Sequence, residues 1–394
     1  MKLPSLPGLQ TAALRSALAQ RLFCTGLALL LVVSEVFSSN LQSTLPAFCK
    51  VCRLGLTGAA VLALLGKCLL TGFASGRHVL FAAATLGYTA FAAVHGDDIW
   101  FFLAVLVGLA AKEVDLRAAL RVYLAVAIAG LLLVQLLHFA TPWMPYNYYC
   151  RNWDFGYGHY NGFGARLAGV FFAWAWLRHD WMRWFDWLGL AALGVFTYKV
   201  PGSRGAAGAM AVLLVLFAAQ KLLPVLFDNK VWYTLALALP VGLAVFSLWA
   251  GYVYNPEWPY ERMALLLLSI FLSGRFEIWH NVFWSTPMTL LGGFATDGDE
   301  HHAIDNTFLA VPMNKGLLGA VLVATVFLLL LWRLARQRHS TEVLCLVALT
   351  LYLFMENKPF LLSANPFLLL LPCAFAARGI DPLPALCARR PPRH

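Results

Sequence analysis

Apolar residues run through this chain in long blocks, parted by short polar interruptions, rather than alternating or marking one face of a helix. A helix crosses the hydrocarbon core of a bilayer in about 20 such residues, rising 1.5 Å with each. Twelve blocks predict spans, near 22–38, 54–73, 78–94, 99–111, 119–139, 160–177, 187–199, 205–222, 231–250, 307–332, 342–356 and 366–378. The fourth, seventh and last are short, so each is expected to kink, pair as a hairpin or lie in the interface. The predicted fold class is all-α: a polytopic integral membrane protein of about 12 helices (range 11–13), with residues 1–394 as a single transmembrane domain.

Composition agrees with that pattern. Hydrophobic residues make up 61% and charged residues 12%, the latter about half the usual share. A soluble chain of 394 residues covers itself with charge, and this one has too little to do so. A soluble enzyme, a disordered chain and a nucleic-acid binder are thereby excluded. The net charge of +10 sorts by loop: with the N-terminus inside, 18 of the 29 Lys and Arg fall on the inner side and 8 on the outer. Lys67, Arg166 and Lys315 fall within spans. Inner loops carry the basic excess in membrane proteins, so both termini are predicted cytoplasmic. The first block contains Glu35 and lacks a small-residue cleavage site, which predicts a retained anchor rather than a signal peptide. Cys49 and Cys52 form a lone CxxC without further zinc ligands nearby, readable as a local disulfide or as two free thiols.

On this topology the polar chemistry gathers on the outer face, in loops 140–160 and 251–306. The first carries eight aromatics between Trp143 and Tyr160, readable as an interfacial belt or as a platform for sugar rings. It continues as DFGYGHYNGFGAR, Asp154 to Arg166, whose glycines allow tight backbone and close helix approach. Tyr157, His159, Asn161 and Arg166 are candidates to bind substrate, as is Arg151 before them. An arginine inside a span costs at least about 2.5–3.5 kcal/mol, so Arg166 is expected to face a polar interior. At Ser203-Arg204-Gly205 two spans meet with almost no loop, which holds Arg204 at the membrane surface. A helix starting there offers free N–H groups and a positive dipole end to an anion, and the arginine fork matches phosphate oxygens.

Loop 251–306 carries an apolar piece, Ala264 to Leu272, too short to span, which predicts an interfacial or re-entrant helix presenting Arg275. Asp297, Asp299, His301 and His302 form a weak carboxylate and histidine pattern for a divalent metal. Asp305 lies just before the next span, where partial burial would suit it to general-base work; it is equally placed to cap the helix. His302 is a second candidate base. Lys358, beside Glu356 and Asn357, lies on the same face and reads either as a pocket residue or as a snorkelling helix end.

The ordered set GYGHYNGFG, SRG, SGRFEIW, LGGF, IDNTFL and NKGLLG, over about residues 140–365, resembles Wzy-type polysaccharide polymerases and, more distantly, O-antigen ligases. The resemblance implies a GT-C-like fold in the bacterial cytoplasmic membrane and inverting glycosyl transfer at its outer face. It implies a glycan on polyprenyl diphosphate as donor, with no metal or other cofactor. Flippase and chain-length-regulator partners are also implied. By resemblance, Arg204 and Arg275 engage the diphosphate and Asp305 or His302 activates the acceptor hydroxyl. Asn306 follows Asp305, as is usual among polymerases. A ligase differing only in acceptor is the alternative within the class. A lipid-linked glycan flippase is the alternative outside it, although no internal repeat appears.

Overall fold

The computed structural model describes residues 12–72, 75–96, 98–144, 148–149, 152–257, 263–272, 274–292 and 304–375. The helices are α1 (Ala12–Glu35), α2 (Leu41–Thr44), α3 (Pro46–Thr71), α4 (Gly76–His95), α5 (Ile99–Ala110), α6 (Leu116–Ala140), α7 (Tyr160–Arg178) and α8 (Trp184–Lys199). They continue as α9 (Arg204–Leu222), α10 (Pro224–Phe227), α11 (Lys230–Val253), α12 (Met263–Phe271), α13 (Arg275–Ser285), α14 (Thr307–Asn314), α15 (Gly316–Arg336) and α16 (Ser340–Met355). Short 3-10 stretches cover His179–Trp181 and Pro366–Ala374. A two-residue antiparallel ladder, Tyr148–Tyr149 against Asn152–Trp153, lies in the first long outer loop.

Among the described residues, seven helices are long and apolar enough to cross a membrane: α1, α3, α4, α6, α9, α11 and α15. The pair α12–α13, bent by 107°, makes an eighth if it counts as one span. The chain is thus a multi-pass, all-helical membrane protein by length and composition. Of the blocks expected to be short, the fourth is α5, with 12 residues, and the seventh is α8, with 16; the eleventh, α16, is also only 16 residues long.

Two expected spans differ. The block near 366–378 contains nine residues of 3-10 helix, Pro366–Ala374; prolines 366 and 372 supply no backbone donor, so a regular α-helix is not completed there. The block from Thr307 to Trp332 is two helices, broken at Lys315 between α14 and α15. Pro312 removes a donor from α14, and Gly316 turns the chain at φ 71°. The amides of Leu317 and Leu318, orphaned by the break, donate to the carbonyls of Thr289 and Leu290 at 2.9 and 3.0 Å.

The centre belongs to α7, with thirteen of its 19 residues buried, and α16, with twelve of its 16. A helix apolar all round belongs in an interior rather than at a surface. Charges inside the helices are answered: Lys67 of α3 donates to the carbonyl of Lys112, and Lys315 pairs with Asp98 at 2.7 Å. Ion pairs between elements join loops assigned to one side only. Arg117–Asp180 and Arg338–Asp228 join residues expected on the inner side; Arg166–Glu35, Lys315–Asp98 and Arg275–Asp305 join residues expected toward the outer one. Cys49 and Cys52 are both free thiols.

Candidate functional site

The C-terminal end of α16 is where the sequence-predicted residues converge. Arg275 is the first residue of α13, reached through Gly274 at φ 78°. Its Nε faces Asp305 Oδ2, its Nη2 lies 3.5 Å from Glu356 Oε1, and its Nη1 donates to the carbonyl of Leu272 at 3.3 Å. Trp279, one turn on, donates its indole N–H to Asp305 Oδ1 at 3.3 Å. Asp305 therefore holds a guanidinium and an indole, one on each oxygen. Burial pushes its carboxyl up and the Arg275 charge opposes that.

The capping role open to Asp305 falls to its neighbour. Asn306 Oδ1 accepts the Phe308 N–H at 2.8 Å, and Nδ2 donates to Ser247 Oγ of α11 at 2.9 Å. With its side chain fully buried and engaged at both ends, Asn306 anchors α14 to α11 and is not placed to bind substrate. That assignment leaves Asp305 available for chemistry.

Glu356, noted in the sequence only as a neighbour of Lys358, is the hub. Thr307, the first residue of α14, donates its hydroxyl to the Glu356 carbonyl at 3.0 Å. Gly205, on the first turn of α9, leaves just enough room: a Cβ there would come within 3.1 Å of Glu356 Oε1. The first turns of α9, α13 and α14 thus meet at Glu356, two of them beside its carboxylate and Thr307 at its main-chain carbonyl, with the residue 3% exposed. Burial raises its pKa from 4.5 to about 7, against the pull of Arg275 and Lys358. The available sequence signal was an acid at the end of an apolar helix, where a charge needs a reason.

Arg204 opens α9 with its side chain exposed, free of any hydrogen bond or ion pair among the described residues. Beside it the buried Ser203 Oγ has no partner among the described residues. Ser203 packs directly on Gly164 of α7, where no Cβ would fit. The glycine-rich loop before α7 is a turn organised by Asp154, which accepts from the amides of Gly156 and Gly158 at 3.3 and 3.1 Å and from Asn40. Both glycines adopt positive φ, 80° and 74°, as the turn requires. His159 then caps α7, its Nδ1 accepting the Asn161 N–H at 3.0 Å. Burial and the nearby Lys358 charge hold its pKa below the ordinary histidine value. Asn161 sits half-buried on the first turn of α7. Lys358 is half-buried, its pKa lowered by burial, within electrostatic reach of Glu356, Arg166 and Asp98.

Two expected binding residues are structural. Arg166 is 5% exposed. Its Nη1 donates to the Gly162 carbonyl at 2.8 Å and its Nη2 to the Ser34 carbonyl at 2.9 Å, while its Nε lies 3.3 Å from Glu35. The guanidinium stacks 4.0 Å over the Tyr157 ring, whose hydroxyl donates to Glu35 at 3.4 Å. Arg166 and Tyr157 clamp α7 to α1. Arg151, Asp297, Asp299, His301 and His302 lie outside the described residues. Among the described residues no three His, Cys, Asp or Glu are grouped to hold a metal.

Beside this charged cluster lies an apolar cavity of about 560 Å³. Phe101, Leu248, Phe308, Val323, Leu349 and Phe360 line it, drawn from α5, α11, α14, α15, α16 and the segment after it. Thr307 and Pro359 bring one end of it to Glu356; Lys112 and Glu113 line it at the other. The combination fits an amphipathic ligand, with an anionic head at the arginines and an apolar tail among the helices. Trp143 and Trp153, both exposed, stand on the loop that leads to this end.

No family model, curated protein or solved structure matches this chain.

Proposed function

We propose that the protein is a bacterial polysaccharide polymerase that joins lipid-linked oligosaccharide repeat units by inverting glycosyl transfer at the outer face of the cytoplasmic membrane. The observation that carries this reading is the Arg275–Asp305–Glu356 cluster, joined through the Thr307–Glu356 hydrogen bond to a residue that lines the apolar cavity. A polyprenyl diphosphate would place its chain in the cavity and its phosphates against Arg275 and Arg204. The span count of about 12, the GT-C-like architecture and the cytoplasmic termini belong to the same proposal.

In the proposed reaction an acceptor sugar hydroxyl attacks the anomeric carbon of the donor glycan from the face opposite the diphosphate. The new C–O bond forms as the bond to the diphosphate oxygen breaks. The electron pair leaves with the diphosphate, stabilised by the arginine charges already in place. The hydroxyl proton passes to Asp305, or to His302 if the loop brings it within hydrogen-bond reach. The chemistry needs no metal, since two guanidinium groups supply the positive charge.

One observation favours a second reading. The break at Lys315, between α14 and α15, beside a cavity with polar residues at both ends, is the kind of feature transporters use. A flippase for lipid-linked glycans is that reading. The test is glycan size in a strain lacking this protein, complemented with wild type, Arg204→Ala, Arg275→Ala or Asp305→Asn. A long ladder with wild type and single lipid-linked repeats with the variants supports polymerisation. Repeats trapped on the cytoplasmic side support the flippase. Long glycan retained on its lipid carrier identifies a ligase.

A further inference from the structure

Glu356 occupies an unusual place for an acid. Its carboxylate faces the Arg275 side chain from the start of α13 and the bare Gly205 on the first turn of α9, while its main-chain carbonyl accepts from Thr307 at the start of α14. Arg275 contributes a full positive charge at 3.5 Å. Gly205 keeps the first turn of α9 free of a side chain on the carboxylate side. These are the features of an anion seat, and the chain's own carboxylate sits in it.

A second observation lies one helical turn back. Tyr352 is fully buried, and its hydroxyl has no hydrogen-bond partner among the described residues. It lies within electrostatic reach of Glu356 and Arg166. A buried hydroxyl left unpaired costs about 1–3 kcal/mol, so its persistence calls for a partner in another state. A neutral Glu356 carboxyl turned toward α16 would supply one.

The charge count completes the argument. Around the seat stand Arg275 from α13, Asp305 ahead of α14, and Tyr352 and Lys358 on the segments flanking Glu356. Arg204 lies one residue from Gly205 on α9. One guanidinium already serves two carboxylates. A diphosphate entering the seat would crowd at least two more negative charges against the same cation.

We propose that Glu356 is a stand-in anion: it holds the seat of the ligand's diphosphate and leaves it, taking up one proton, when the diphosphate binds. The proposal rests on the reading of the ligand as a prenyl diphosphate. The proton comes from solvent, no covalent bond forms or breaks, and the released carboxyl turns to the Tyr352 hydroxyl. Its raised pKa, near 7, makes that uptake accessible at neutral pH. Glu356 is in this sense a positioning residue, since it holds Arg275 in readiness and gives it up to the ligand.

The experiment is calorimetric titration of the full chain in detergent with farnesyl diphosphate. Two buffers of different ionisation enthalpy are used at about pH 8, and the titration is repeated at lower pH. The expected result is uptake of close to one proton per ligand beyond that of Glu356→Gln, with affinity weakening toward tenfold per pH unit above about 7. Glu356→Gln should bind with a flatter pH dependence. Binding by wild type with no proton uptake and no pH slope overturns the stand-in role and leaves the diphosphate site intact. Absence of any binding overturns both. Should Glu356→Gln fail to fold, wild type is compared with Asp305→Asn: uptake kept in that variant supports Glu356 as the proton's site, and uptake lost with Asp305 overturns the stand-in role.

Discussion

Arg275 and Glu356, 81 residues apart in sequence, meet with Nη2 and Oε1 at 3.5 Å. The contact joins the start of α13 to the end of α16, with the first residue of α14 hydrogen-bonded to the same glutamate. Removing the arginine would strand two carboxylates where only one is even partly exposed. Arg275→Ala is expected to abolish chain extension and to lower the melting temperature, since breaking a buried pair costs about 3–5 kcal/mol. Arg275→Lys should fold better yet lose about 10²–10³ in transfer rate, because a point charge replaces the fork. Fluorescence-detected size exclusion separates folding from activity. Wild-type polymer length from Arg275→Ala would remove the arginine from the mechanism.

Asp305 does not cap α14, and in the proposed reaction it is the base. Since Asn306 holds the helix start, Asp305→Asn should leave the protein's yield and melting temperature near wild type while lowering transfer by about 10²–10⁴. The measurement is turnover of a lipid-linked repeat by purified protein. Retained turnover in Asp305→Asn together with loss in His302→Ala would move the base to His302.

The pH dependence of stability has a definite sign. Burial raises the Glu356 carboxyl from 4.5 to about 7, so the folded chain binds this proton more tightly than the unfolded one. Its contribution is most favourable below 4.5 and declines as pH rises from there through about 7. Asp305, also raised by burial, acts in the same direction. The melting temperature should therefore fall as pH is raised across that window, and less so in Glu356→Gln. An identical decline in both proteins would detach Glu356 from it.

Arg166 tests the structural side of the site. Arg166→Ala leaves Glu35 fully buried without its cation and should cost about 3–5 kcal/mol, seen as lost folded protein. The double change Arg166→Met with Glu35→Leu should recover much of that loss, because both charges leave together. If the double variant folds but cannot extend glycan, Arg166 has a role beyond the clamp.

Gly164 and Gly205 make opposite predictions. Gly164 has Ser203 packed directly on it, so Gly164→Ala should reduce folded yield. Gly205→Ala meets Glu356 Oε1 and Met355 Cβ, each at 3.1 Å; turning the Glu356 side chain relieves the first, and the second asks for a shift of only a few tenths of an ångström. Its expected effect is weaker transfer with the fold retained.

Long apolar blocks were legible because length and hydropathy alone decide whether a helix can span, and α1, α3, α6 and α11 follow from them. The tight turn at Ser203 and the short helix before Arg275 were legible for the same local reasons. The break at Lys315 was not, because hydropathy runs on unchanged through Pro312 and Gly316, and the loop carbonyls of Thr289 and Leu290 arrive from elsewhere in the chain. Arg166 was misread as a ligand contact because its partner, Glu35, lies on α1. Asp305 and Asn306 are both good caps on paper, and only the hydrogen bond to Ser247 separates them. Glu356 emerges as a hub only when α9, α13 and α14 have been brought to it.

The bond from Lys67 to the Lys112 carbonyl spans 45 residues and bears on biogenesis. A ribosome releases α3 to the translocon well before the end of α5 exists. During that interval the ammonium lies four residues from the end of α3 without its acceptor, where a lysine reaches the interface by snorkelling. The α3 segment must therefore keep its lysine at an interface until α5 is delivered. The order of synthesis is thus written into where this one charge finds its carbonyl.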